Sequence, residues 1–129
     1  MRLLLDTHTF LWFIDGNPKL SSRARQLIEE VANERVLSTA SLWEMAIKVS
    51  LSKLTVPLPF TTLVAEHVYG NAIMLTFIAP EHLDVLRMLP FHHKDPFDRL
   101  LIAQGLSENI PILSRDDVFD DYGIQRFWD

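Results

Sequence analysis

The chain has 129 residues, 48% of them hydrophobic and 22% charged, with no cysteine, a formal net charge of −5 and a pI near 5.4. That length suits one domain with its own core, and the missing cysteine excludes disulfide scaffolds, zinc–thiolate centres and thiol nucleophiles while according with a reducing, cytoplasmic setting. The acidic balance excludes a module that holds nucleic acid on a broadly basic surface, but not an enzyme whose acidic centre carries cations that reverse the field felt by a phosphate.

Residues 2–5 read as a short apolar strand that ends at Asp6, too early for a signal peptide or a spanning helix, and no later stretch reaches membrane length. Apolar residues then bunch as on a helix over 7–14, and Asp15-Gly16-Asn17-Pro18 breaks the chain. Ser21 or Ser22 can cap a second helix to about Asn33, with Ala24, Leu27, Ile28, Val31 and Ala32 on one face. A strand over 35–38 leads to a helix over 41–50 with Leu42, Met45, Ala46 and Val49 inward. After a proline-marked loop at 54–59 come a helix over 61–71, a strand over 73–78 and a helix from Pro80 to about Leu89, proline suiting its first turn. Asp95-Pro96 opens a helix to about Glu108 that can pack through Leu100, Leu101, Ala103 and Leu106; strands over 110–114 and 124–127 follow. Strands alternating with helices predict an α/β fold: a mainly parallel sheet of four to five strands in a three-layer α/β/α sandwich, as a single domain over 1–129.

Ligands of open parallel sheets bind at the carboxyl ends of the strands. Asp6 ends the first strand, Glu44 lies in the first turn of the helix after the second, and Asp116 stands two residues beyond the fourth. Connectivity puts these three at one end of the sheet and leaves Asp98, in the first turn of the preceding helix, unplaced. An acid directly after Leu3-Leu4-Leu5 lies near buried structure, where an ionised carboxylate is costly without a partner. Carboxylates gathered in one cleft raise one another's pKa values unless a cation sits among them, and oxygen ligands without thiolates favour Mg²⁺ or Mn²⁺.

Four segments resemble the PIN-domain family, and within it the VapC-type toxins of toxin–antitoxin pairs: Leu4-Leu5-Asp6-Thr7-His8, Ser41-Leu42-Trp43-Glu44-Met45-Ala46, His92 to Gln104 with Asp95-Pro96-Phe97-Asp98-Arg99 at its centre, and Leu113-Ser114-Arg115-Asp116-Asp117-Val118-Phe119. Ser114 stands where the family usually has Thr, which keeps the hydroxyl. The resemblance spans nearly the whole chain and implies a PIN-like fold with Asp6, Glu44, Asp98 and Asp116 as ligands of Mg²⁺ or Mn²⁺, Asp6 and Asp98 the firmest. It places Asp98 with the other acids and makes Thr7, Asp95 and Ser114 secondary members of the site. It further implies hydrolysis of RNA phosphodiester bonds, a homodimer, and a small antitoxin that blocks the cleft.

Plainer roles compete at several positions. Asp95 is a good N-cap, with Pro96 in the first helical position. Glu44 and Lys48 are spaced as a helical ion pair. Asp117, Asp120 and Asp121 read as a solvated turn. His92 and His93 raise zinc, but adjacent histidines have poor ligand geometry and no third soft ligand is evident, so RNA contact or plain surface is preferred. Lys94, Arg99 and Arg115 could reach phosphate oxygens or pair with nearby acids. Trp12, Trp43 and Phe97 read as core or dimer contacts.

Two other functions share these features. An aspartyl-phosphate phosphohydrolase also begins with a strand ending in Asp, yet its chemistry wants a second Asp two positions on, where this chain has His8. A non-catalytic partner-binding domain could use the same fold.

Overall fold

The computed structural model describes residues 1–57 and 59–129. Strands β1 (Arg2–Leu5), β2 (Glu34–Ser38), β3 (Met74–Thr76), β4 (Ile112–Leu113) and β5 (Arg126–Phe127) form one sheet in the order β3-β2-β1-β4-β5, every neighbouring pair parallel. Helices α1 (Thr7–Asp15), α2 (Ser22–Glu29), α3 (Thr39–Ser50), α4 (Phe60–Leu63), α5 (Pro80–Leu86) and α6 (Pro96–Glu108) connect them.

Successive strand residues point to opposite faces, so an apolar run builds two cores at once. Leu4, Val36 and Ile112 join the core under α6, while Leu5, Leu37 and Leu113 join the one under α1 and α2. Helix α3 serves both, through Ala40 and Met45. Layers on both faces of a parallel sheet are the α/β/α arrangement expected from the sequence.

Several boundaries differ from the sequence reading for local reasons. Helix α2 stops at Glu29 because Asn33 Nδ2 donates to the Leu27 carbonyl (3.0 Å) and the buried Arg35 guanidinium donates to that of Ile28. Val31 therefore leaves the expected apolar face and is 86% exposed, and Ala32 is exposed with it. Helix α3 begins earlier than expected because Ser38 Oγ accepts from the Ala40 N–H at 3.0 Å, and Ala46 faces outward. The helix expected over 61–71 is α4 followed by a π-helical turn, Val64–Val68, and a 3₁₀ turn, Tyr69–Asn71. Of the expected loop at 54–59, Leu58 lies outside the described residues.

Strand β3 stops at Thr76, leaving Phe77 and Ile78 exposed, and α5 ends at Leu86. Strand β4 is shorter than expected because the Ile110 N–H is used by the Gly105 carbonyl (2.8 Å) and Pro111 has no N–H to give. Strand β5 is likewise confined to Arg126–Phe127.

Helix α6 is buried from Arg99 through Gly105; Leu100, Leu101 and Ala103 pack as expected, Ile102 joins them, and Leu106, expected to pack, is exposed. Gly105 lets this helix approach its neighbours: a Cβ there would lie 2.3 Å from Ile124 Cδ1 and 3.0 Å from the Ile110 carbonyl oxygen. Ile124 is itself buried, and the Ile110 carbonyl is backbone. Gly105→Ala is expected to lose about 1–2 kcal/mol net of its better helix propensity, read as a lower denaturant midpoint.

Candidate metal centre

The chain order places β2 and β3 on one side of β1 and β4 and β5 on the other, so the topological switch point falls between β1 and β4. Leu5 pairs with Leu113 across that point, which sets Asp6 and Ser114 level at the carboxyl ends of their strands. Ser114 Oγ donates to Asp6 Oδ2 at 2.5 Å and accepts from the Asp116 N–H at 3.0 Å. One hydroxyl thus ties the Asp6 carboxylate to the backbone of Asp116. Asp6 also caps α1, its Oδ1 accepting from the Thr9 N–H at 2.8 Å, and Gly16 closes that helix in the left-handed region at φ 64°.

Asp98 arrives at the same end because α6 ends at Glu108 and β4 begins at Ile112. So short a link fixes the carboxyl end of α6 at the start of β4, and the helix runs back to put its first turn beside the strand ends. Connectivity therefore does place Asp98, a step the sequence reading left to the family resemblance. Asp95 takes the cap, its Oδ1 accepting from the N–H groups of Phe97 (2.8 Å) and Asp98 (3.1 Å).

Among the described residues, His93, Asp98 and Asp116 each offer a donor atom within 4.8 Å of the others. His93 Nε2 lies 2.7 Å from Asp98 Oδ2. His93 was not among the expected ligands; the available signal was its place two residues before the cap that starts α6. His92 instead packs edge-on against Tyr122. Asp116 also caps the 3₁₀ turn Asp117–Tyr122 through the Val118 N–H (3.0 Å), and Asp120 pairs with Arg126, which holds its carboxyl below the usual range.

Glu44 is buried and held from two sides: the Thr7 hydroxyl donates to its Oε1 at 2.8 Å and lies 2.9 Å from Ser41 Oγ, while Lys48 Nζ donates to Oε2 at 2.7 Å. The ion pair and the inward placement thus coexist. Arg99 departs from the expected phosphate contact. Its guanidinium is buried and donates to the carbonyls of Pro90 (2.8 Å), Leu89 (3.3 Å) and His93 (3.4 Å), so it clamps the loop before α6. Lys94 and Arg115 remain exposed, and Arg115 lines a cleft with Asp6, His8, Trp12, Asp116 and Asp117. Trp43 is 57% exposed and meets Phe97 edge-on.

Burial pushes the Asp6 carboxyl up, against the hydrogen bonds from Ser114 and Thr9. Burial also raises Asp98, to about 6; the His93 hydrogen bond opposes the rise and the charges of Asp95 and Asp6 add to it. The charge of Asp6 therefore reaches Asp98. Carboxylates that resist ionisation this way stand in a site short of positive charge, and an oxygen-rich donor set without thiolate suits a hard divalent ion.

A parallel α/β fold with a carboxylate-rich centre at its switch point is the class of protein defined here. The PIN domain family model matches residues 3–125, and the chain belongs to the PIN-domain family, whose members are nucleases. A search of curated proteins gives no match. Among solved structures, VapBC2 from Rickettsia felis bound to a DNA fragment from their promoter is similar at 14% identity and a TM-score of 0.73, covering 100% of both chains. FitAcB from Neisseria gonorrhoeae is similar at 15% identity and a TM-score of 0.61, over 97% of this chain and 96% of that one. FitAB bound to the IR36 DNA fragment gives 16% identity and a TM-score of 0.66, over 97% and 93%. At these identities the likeness is one of fold. No helix among the described residues is long and apolar enough to cross a membrane.

Proposed function

We propose that this chain is a divalent-metal-dependent endoribonuclease that hydrolyses RNA phosphodiester bonds and acts as the toxin of a toxin–antitoxin pair. The observation that carries the reading is the Ser114 hydroxyl joining the Asp6 carboxylate to the backbone of Asp116, whose own carboxylate stands beside Asp98, at the switch point of a PIN fold. Asp6, Asp98 and Asp116 hold Mg²⁺ or Mn²⁺, and Glu44, oriented by Thr7 and Lys48, completes the acidic wall. A bound ion supplies the positive charge that aligns water and phosphate and stabilises the leaving oxygen. Arg115 and Lys94 offer the phosphates of an RNA strand cationic contacts at an otherwise acidic cleft.

The resemblance to VapC-type toxins is what supports a homodimer as the working state, and it supports a small antitoxin as partner together with the fold shared with VapBC2 and FitAB. Sedimentation should give twice the 14.9 kDa chain mass.

The test is incubation with end-labelled single-stranded RNA. Internal cuts are expected with Mg²⁺ or Mn²⁺ and none in EDTA, and Asp6→Asn should lose them while keeping the circular dichroism of the parent. Turnover of a small phosphomonoester, with fluoroberyllate trapped on Asp6 and RNA left intact, would sink the nuclease reading in favour of the phosphohydrolase.

A further inference from the structure

His93 is the one nitrogen donor in the cluster of donor atoms at the switch point, and its surroundings hold it there. The His93 N–H donates to the Tyr122 hydroxyl at 2.9 Å, and that hydroxyl donates to the Pro90 carbonyl at 2.8 Å. Arg99 grips the carbonyls of Leu89, Pro90 and His93 from beneath, its guanidinium 3.9 Å from the Phe91 ring centre. The loop before α6 is therefore pinned on both sides, and the imidazole is delivered to Asp98 by backbone fixed at both ends.

The spacing is close to that of shared coordination, and a small contraction around an ion would complete it. Ligands about 2.1 Å from a hard ion stand about 3 Å apart on an octahedral edge and about 4 Å apart across it. His93 Nε2 and Asp98 Oδ2 are 2.7 Å apart, and all three donors of the cluster fall within 4.8 Å. The His93–Asp98 hydrogen bond stands where a nitrogen–oxygen edge would open around an ion.

Resting on the reading that the acids hold a divalent ion, we propose that His93 Nε2 is a direct ligand of that ion, making the centre a mixed nitrogen–oxygen site that prefers Mn²⁺ to Mg²⁺. Imidazole suits transition-metal ions, whereas Mg²⁺ demands oxygen and keeps its waters. Arg99 and Tyr122 are then positioning residues for the ligand loop.

The experiment is pulsed electron paramagnetic resonance on the full chain loaded with Mn²⁺ near pH 7.5, comparing wild type, His93→Gln and His8→Gln. His8 is the control because it also lines the cleft. Nitrogen-14 modulation characteristic of a bound imidazole is expected in wild type and His8→Gln and is lost in His93→Gln, whose Mn²⁺ affinity falls about 10–100-fold with a smaller change for Mg²⁺. Bound Mn²⁺ without nitrogen modulation in wild type, or modulation that persists in His93→Gln, overturns the ligand assignment and leaves the nuclease reading standing. Failure of folded wild type to bind Mn²⁺ at all overturns both. Should His93→Gln misfold, the wild-type and His8→Gln spectra decide: modulation lost with His8 refutes the proposal, and modulation retained supports it.

Discussion

Asp98→Asn is expected to slow RNA cleavage by at least about 10²-fold at saturating Mn²⁺ while leaving the fold intact. The asparagine has the same shape, and the loop before α6 keeps its anchors in Arg99 and Tyr122. What is lost is a negative charge beside Asp116 and His93, at a place the charge of Asp6 also reaches. The Asp95 cap at the start of α6 is untouched, since it acts through backbone N–H groups. A single-turnover assay on a short fluorogenic RNA measures the change. A rate within a few-fold of wild type would remove Asp98 from the chemistry.

The same substitution is expected to stabilise the metal-free protein at neutral pH. Burial, reinforced by Asp95 and Asp6, lifts the Asp98 carboxyl from 3.8 to about 6 against the His93 hydrogen bond. Between those values the folded chain holds a proton that the unfolded chain has released, so stability falls as pH rises through the window. A shift of that size corresponds to up to about 3 kcal/mol of cost, fully present above pH 6 and absent below the unfolded value. Asp6, raised in the same direction by its own burial, adds a cost of the same sign.

Denaturant midpoints recorded from pH 4 to 8 in chelator should therefore show wild type losing ground to Asp98→Asn as pH rises, with Mn²⁺ at pH 7.5 restoring wild type more than the variant. Parallel profiles would show that Asp98 ionises without cost. The two results together describe an acidic centre that is unfavourable to the fold until a cation enters it.

Much of this arrangement was legible in the sequence because strand ends are easy to read. Leu3-Leu4-Leu5 before Asp6 predicts a buried strand whose next residue stands at the sheet's edge, and parallel pairing then makes Ser114 its neighbour. The three-layer fold follows from the same alternation. Local caps were less legible. Asn33 and Arg35 end α2 by reaching back to its carbonyls, and a 3.6-residue period carries no trace of side chains that do so.

The site's periphery depended on pairings between distant residues. Arg99 beside acids reads as a phosphate contact until its partners prove to be the carbonyls of residues 89, 90 and 93. His93 was set aside by judging the His92–His93 pair as a unit. In the folded chain the two rings diverge, one to Tyr122 and the other to Asp98. Glu44 shows the opposite case: the spacing to Lys48 gives the ion pair that forms, and Glu44 is buried beside Thr7 while Lys48 stays partly exposed.

Calorimetric titration of Mn²⁺ into the metal-stripped chain and into the Asp6→Asn, Asp98→Asn double variant tests the central claim most directly. Saturable binding by the wild type and none by the folded double variant is the predicted result. Undiminished binding by the double variant, or no binding by a folded wild type, would contradict it.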